Sequence, residues 1–205
     1  MVELFVSAFV TFFVVIDPLG CAPIFAGLTK DHPAAETRAM AFRSVAIAAA
    51  VLLFFGLLGE GLLKALGISL AAFRVAGGIM LFLIAIDMVF ERRTARRETR
   101  AQTIDAEHED ISVFPMAIPM IAGPGSIAST MLLAARSTGI EQSATVLAAL
   151  AANLLLTLIA LLAARRLMRL LGYKIEAMLT RLLGVILAAL AAQFVIDGIS
   201  ISFQV

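Results

Sequence analysis

The sequence is short of most residue types on which catalytic and nucleic-acid-binding sites are built. It has one cysteine, Cys21, so no internal disulfide can form. Its two histidines, His32 and His108, have no metal-ligand spacing around them, which argues against a metal centre. Only 15% of the residues are charged and the formal net charge is +1, so there is no electrostatic case for nucleic acid. Tryptophan is absent and tyrosine occurs once, and no basic patch is interleaved with aromatics. There is no serine-centred nucleophile elbow and no glycine loop of the kind that cradles phosphate, so neither an enzyme nor a bound cofactor is expected. Intramembrane proteolysis would need paired aspartates. Asp17, Asp87 and Asp197 are available, but the last two fall toward opposite faces of the membrane in a six-span topology. Residues 1–3 carry no basic stretch and no cleavage pattern follows, so the first apolar run is expected to be retained rather than removed as a signal peptide.

Apolar residues dominate. They make up 61% of the 205 residues and the mean hydropathy is +1.02, against about 45–50% apolar in a soluble domain. Six segments, 4–29, 43–63, 68–90, 112–135, 143–164 and 178–200, are long enough to cross a bilayer. The expected fold is an all-α polytopic membrane protein with six transmembrane helices and a single transmembrane domain over 1–205. Lysine and arginine are unevenly placed: 13 of the 16 lie after spans 1, 3 and 5. That bias puts those connections in the cytoplasm and both termini outside, periplasmic in a bacterial inner membrane. The long polar stretch Glu91–Asp110 starts basic and ends acidic, and reads as a solvated linker or as a surface for anionic lipid or a partner.

The first span is interrupted by Asp17-Pro18-Leu19-Gly20, with Pro23 beyond it. Proline lacks a backbone N–H and clashes with the preceding turn, so the helix is expected to break here. The fourth span is interrupted by Ala122-Gly123-Pro124-Gly125-Ser126, and shifting the sequence by 106 lays Pro18 on Pro124. Arg74 and Arg181 match at a shift of 107, and Asp87 and Asp197 at 110. Two halves of three spans each must run in opposite senses across the membrane. The expectation is therefore two inverted three-helix repeats, 1–90 and 112–205, joined by a cytoplasmic linker 91–111, with helices 1 and 4 broken at the midplane.

A broken helix offers unpaired N–H groups at one end and unpaired carbonyls at the other. The helix restarting at Gly125 would present N–H groups of Gly125, Ser126 and Ile127 to a carboxylate. Carbonyls ending near Ile16 and Ile121, together with the Asp17 carboxylate, would suit an ammonium or a cation. A carboxylate at mid-span costs about 2.5–3.5 kcal/mol on insertion scales, so it needs a reason. Substrate binding, proton coupling and capping of the helix break are each compatible with Asp17. The candidate substrate-binding residues are Asp17, Pro18, Gly20, Gly123, Pro124, Gly125, Ser126 and Asn153. Asn153 shares a helix face with Thr157, so the pair could line a site or bond between helices. Ser126 and Ser129 also share a face. Arg74, Arg181, Asp87 and Asp197 fall near span ends, where snorkelling or structural pairing is expected.

These residues carry a resemblance. Asp17-Pro18-Leu19-Gly20 through Pro23-Ile24-Phe25, Arg74-Val75-Ala76-Gly77-Gly78 through Ala85, and above all Phe114-Pro115-Met116-Ala117-Ile118-Pro119-Met120-Ile121-Ala122-Gly123-Pro124-Gly125 resemble the MarC family of bacterial inner-membrane proteins. The resemblance covers the whole chain. It implies a six-helix integral membrane protein, and in some members an association with neutral amino acid transport. Where relatives often carry asparagine after the helix 1 glycine, this chain has Cys21. Residues and resemblance together point to a secondary transporter of small zwitterionic solutes, with neutral amino acids foremost, working by alternating access without ATP. Its partners would be the lipid bilayer, the amino acid solute and a coupling proton or Na+, with no nucleic acid; a homo-oligomer is compatible. The other function class is a non-transporting scaffold or regulator acting through the charged 91–110 loop.

Overall fold

Hydropathy marks where a chain can enter a membrane, whereas propensity and proline mark where it stays helical. The two differ at several places here. The computed structural model of the chain describes residues 1–90 and 110–203, and every regular element among them is helical. In order these are α1 (Val2–Ile16), α2 (Pro18–Leu28), α3 (Ala34–Ala65), α4 (Leu70–Val89), an irregular helix α5 (Ser112–Ile121), α6 (Pro124–Arg136), α7 (Ile140–Leu162) and α8 (Ala164–Phe203). Five stretches are long and apolar enough to span: Val2–Leu28, Ala34–Ala65, Leu70–Val89, Ile140–Leu162 and Ala177–Phe203. Counting α5 and α6 as one bent span makes a sixth.

Two connections expected to be loops are helical. The segment after the first span joins α3 at Ala34, so Arg38 and Arg43 lie on that helix. The stretch 165–176 belongs to α8, leaving only Ala163 between α7 and α8. Alanine, leucine, methionine, arginine and lysine are strong helix formers whatever their polarity. A hydropathy window stops at the first charges; the helix does not.

Burial separates the centre of the bundle from its rim. The Val2–Leu28 span is 56% buried in its most apolar window, against 22% for Ala34–Ala65, so α1 and α2 run through the middle. Phe12 and Ile16 of α1 enter a core with Phe25, Leu52, Met116, Ile121 and Leu150. Val14 and Val15 face the other way, into a core with Leu81, Met88, Leu132 and Leu187. Helices α4 and α8 pack antiparallel through small residues. A Cβ on Gly78 would lie 2.8 Å from the Ala191 carbonyl oxygen, and one on Gly198 would lie 2.9 Å from that of Ala71. Such positions let two backbones approach closely in an apolar solvent. Phe54, Leu57, Leu83 and Val185 point outward, giving the apolar exterior that a bilayer requires.

Candidate functional site

Pro18 supplies no N–H and disfavours right-handed helical backbone at the residue before it. Asp17 takes the left-handed conformation (φ 58°, ψ 68°) and is the only non-glycine residue with positive φ among those described. Helix α1 closes with the Asp17 N–H donating to Phe13 O at 3.0 Å. Helix α2 opens with Pro18 at its first position, where a missing N–H costs no intrahelical bond. The Asp17 side chain caps it: the Gly20 N–H donates to Oδ1 at 3.0 Å, and the Cys21 N–H donates to the Asp17 carbonyl at 3.0 Å. A Cβ at Gly20 would fall 2.2 Å from Asp17 Oδ2, so the absence of a side chain there is what seats the carboxylate. The buried Cys21 thiol points at the Ile16 carbonyl, 3.5 Å away. That carbonyl, expected to be open to a cation, therefore has a weak donor of its own.

The second interruption begins earlier than Gly123. Pro115 and Pro119 remove two donors four residues apart, and each drives its predecessor into extended backbone. Phe114 sits at φ −123°, ψ 128° and Ile118 at φ −128°, ψ 123°. The Phe114–Pro115 and Ile118–Pro119 peptide bonds are cis. What bonding remains is wide, five residues back: Met116 N–H to Ile111 O at 3.3 Å and Ala122 N–H to Ala117 O at 2.8 Å. Gly123 is the extended residue before α6, with no side-chain cap, and α5 and α6 meet at a 53° bend. A Cβ on Gly123 would lie 2.4 Å from the Pro119 carbonyl oxygen. Ile127 is not one of the open donors, because its N–H bonds to Gly123 O at 3.0 Å. Gly125 and Ser126 are the first-turn N–H groups without an intrahelical acceptor, and no acidic residue stands in that turn.

The second interruption packs on α1 close to the first. A Cβ on Gly125 would meet Ile84 Cδ1 at 2.6 Å, Val15 Cγ1 at 3.2 Å and Leu81 Cδ2 at 3.3 Å. The start of α6 thus packs on α1 two residues before Asp17. Asp17, Pro18 and Gly20 follow Val15 on one side of this contact, and Gly123, Pro124 and Ser126 flank Gly125 on the other; the Val15–Gly125 approach is what joins them. Apart from Pro124, all are buried. Asn153 is not brought to the junction. Its Nδ2 donates to Phe9 O at 3.0 Å and Ala149 O at 3.1 Å, and Phe9 lies about 12 Å along α1 from Asp17. Asn153 therefore ties α7 to α1, while its Oδ1 is buried without a partner among the described residues. Thr157 donates back to Asn153 O at 2.8 Å. Ser129 Oγ, one turn beyond Ser126, is also buried without a partner among the described residues. Thr130 donates to Ser126 O at 2.7 Å and lines a cavity of about 240 Å³ shared with Gly56, Glu60 and Ser143.

Two charged clusters tie down the ends of these elements. Asp197 accepts from Arg136 and from Gln193 Nε2, the latter at 2.7 Å, and Arg136 also stands over the Phe194 ring at 4.8 Å. Arg74 is buried and close enough to feel both Arg136 and Asp197. Arg136 and Asp197 are 61 residues apart, and no local sequence signal pairs them. At the other end Arg43 of α3 pairs with Asp110, which also accepts the Ser112 N–H at 2.9 Å and the Ser112 hydroxyl. The Ser112 hydroxyl bond, with Arg43 in support, holds the Asp110 carboxyl below its ordinary value of 3.8. The candidate lipid- or partner-binding stretch Glu91–Asp110 lies outside the described residues except for Asp110.

Comparison with known proteins gives one consistent result. A family model described as "MarC family integral membrane protein" matches residues 2–203. A UPF0056 membrane protein of Methanocaldococcus jannaschii is 37% identical over 197 residues, covering 96% of each chain. The UPF0056 membrane protein YvbG of Bacillus subtilis is 37% identical over 164 residues, 77% of this chain and 75% of that one. YhcE of Escherichia coli is 35% identical over 137 residues, 65% and 62% of the two chains. No solved structure matches. The relatives' names state a membrane protein and name no substrate or reaction.

Proposed function

We propose that this chain, which belongs to the MarC family of integral membrane proteins, is a secondary transporter of small zwitterionic solutes, with neutral amino acids as the first class to test. The observation that supports the reading is the packing of Gly125, in the first turn of an uncapped helix, against Val15, two residues before the buried Asp17. A helix N-terminus favours a carboxylate by about 0.3–1 kcal/mol at an exposed site and up to ~2 kcal/mol when partly buried. The Asp17 carboxylate favours an ammonium. Two such poles within one junction suit a solute carrying both charges. A cavity of roughly 240 Å³ lies between α3, α6 and α7, lined by Thr130 one turn beyond Ser126. It falls below the ~300 Å³ where pockets for drug-sized ligands begin, which suits a smaller solute.

In this reading the two halves are inverted repeats whose interruptions meet at the midplane, and transport proceeds by rocking one half against the other. Asp17, Pro18 and Gly20 shape the ammonium side; Gly123, Pro124, Gly125 and Ser126 shape the carboxylate side. A proton or Na+ at Asp17 would couple the cycle. The arginine-rich end faces the cytoplasm and both termini face outward.

The test is counterflow with purified protein in liposomes, loaded with an unlabelled neutral amino acid and supplied with the labelled one outside. The expected result is transient accumulation that D17N abolishes. No accumulation across the neutral amino acids, from protein shown to be folded, overturns the reading. So does accumulation that neither D17N nor a bulky side chain at Gly125 alters.

A further inference from the structure

At the arginine-rich end of the bundle α2 and α7 stop and α3 and α8 start. Between them lies a cleft of about 560 Å³. Its lining carries Arg38 of α3 and Arg165, Arg166 and Arg169 of α8, and no acidic residue among those described lines it. None of the four forms an ion pair among the described residues. Arg165 is committed to the fold: its Nη2 donates to the Thr29 carbonyl, with a longer contact to His32 O at 3.4 Å, and so covers the C-terminus of α2. Arg169 Nε donates to Arg165 O at 3.2 Å. Arg38 and Arg166 are exposed and have no described partner.

Two further features favour an anion here. Helix α3 begins on the cleft at Ala34 with no side-chain cap, so its positive end opens there. Thr37 lines the same cleft, and its Oγ1 is buried without a hydrogen-bond partner among the described residues. The rest of the lining is different in kind. Phe42, one turn beyond Arg38 on α3, and Ile159 and Leu162 of α7 line it and are exposed, continuing the apolar exterior of the bundle. A soluble anion would use the arginines and leave the apolar lining idle. A ligand with a phosphate at one end and a hydrocarbon chain at the other uses both.

We propose that this cleft binds an anionic phospholipid, with its headgroup phosphate held by Arg38, Arg166, Arg169 and the Thr37 hydroxyl. One acyl chain lies along Phe42, Ile159 and Leu162. The site is separate from the junction at Asp17 and does not depend on the transport reading.

The experiment uses the purified full chain in detergent, read by native mass spectrometry and by thermal unfolding. It is titrated with phosphatidylglycerol, with phosphatidylcholine of the same chains, and with inorganic phosphate. Phosphatidylglycerol should be retained and should raise the unfolding temperature, while phosphatidylcholine and inorganic phosphate should do neither. Affinity for phosphatidylglycerol should fall about five-fold for each of Arg38→Gln, Arg166→Gln and Arg169→Gln, and Lys64→Gln at the opposite end should change nothing. Equal binding of both lipids, displacement by millimolar phosphate alone, or unchanged affinity in all three variants overturns the proposal. Because Arg38 and Arg166 are exposed without described partners, their single variants keep the test decisive if a combined variant does not fold.

Discussion

The two helix interruptions are held open by different means. At Asp17 the break is capped from within five residues: the left-handed aspartate, its carboxylate on the Gly20 N–H, and the Cys21 thiol on Ile16 O. Between Ser112 and Pro124 the chain has two prolines in an irregular helix, no side-chain cap on α6, and anchors that lie far off in sequence. Arg43 reaches Asp110 across 67 residues, and Gly125 rests on α1 and α4. The first break carries a charge and is locally closed. The second carries no charge and leaves helix N–H groups open. A junction of the two therefore has separate jobs for its halves, and changes on the two sides should fail differently.

The glycines give the largest expected contrast. Gly123→Ala places a Cβ 2.4 Å from a backbone carbonyl that cannot swing aside. Overpacking of that kind costs about 1–3 kcal/mol, and the upper part of the range is expected here. Gly20→Ala places a Cβ against a carboxylate that can leave, at the cost of the cap, about 1–2 kcal/mol. The two should separate in a double-mutant cycle read by unfolding of the purified protein. Removing the Asp17 side chain should relieve Gly20→Ala by at least about 1 kcal/mol and leave Gly123→Ala unrelieved. Equal coupling of both glycines to Asp17 would break the contrast.

Asp17 itself tests whether charge and cap are separable. Asparagine tolerates the left-handed conformation and can accept the Gly20 N–H through its amide oxygen, so Asp17→Asn should unfold within about 0.5 kcal/mol of the parent. Asp17→Ala loses the cap and puts an ordinary side chain at φ 58°, for about 1–3 kcal/mol. In counterflow both should be inactive. An active Asp17→Asn alongside a destabilised Asp17→Ala would assign the residue to the cap alone.

Asn153 gives a smaller effect. Its bond to Phe9 O is of the interhelical kind that averages about 0.6 kcal/mol, and Asn153→Leu also removes a buried acceptor that has no described partner. The variant should stay within about 1 kcal/mol of the parent and keep counterflow. Loss of counterflow with stability intact would return Asn153 to the substrate site.

What the sequence shows and what it hides follow the same division. Asp17-Pro18-Leu19-Gly20 can be read because cap, proline and glycine act within one turn. The apolar spans can be read because lipid exposure demands long runs. Reading span ends as helix ends fails at Ala34 and Ala164, since charged residues with high helix propensity carry the helix beyond its apolar part. The Arg136–Asp197 and Arg43–Asp110 pairs are invisible because nothing local to either partner selects the other. The irregularity of α5 is half visible. Its prolines announce distortion, but the wide bonds to Ile111 and Ala117 depend on how α5 packs against its neighbours.

The smallest effect belongs to the anchor of the second break, where pH gives it a sign. Asp110 binds the Ser112 hydroxyl and N–H at the start of α5 and pairs with Arg43, and these contacts hold its carboxyl below 3.8. A carboxylate whose folded value is depressed stabilises the fold above its unfolded value and loses that contribution as pH falls through the folded one. The Asp110 side chain is 43% exposed and Arg43 is 59% exposed, so solvent screens the pair. Asp110→Asn should therefore destabilise the protein at pH 7 by less than about 1 kcal/mol. Parent and variant should converge as the pH is lowered below 3.8. Salt should narrow the gap at pH 7, because Arg43 and Asp110 are reached by solvent. Asp17→Asn should show no such salt dependence, because its cap is buried. A gap at Asp110 that persists at low pH would mean that the asparagine disturbs α5 by packing. The second break would then be held by shape alone, with no part played by charge.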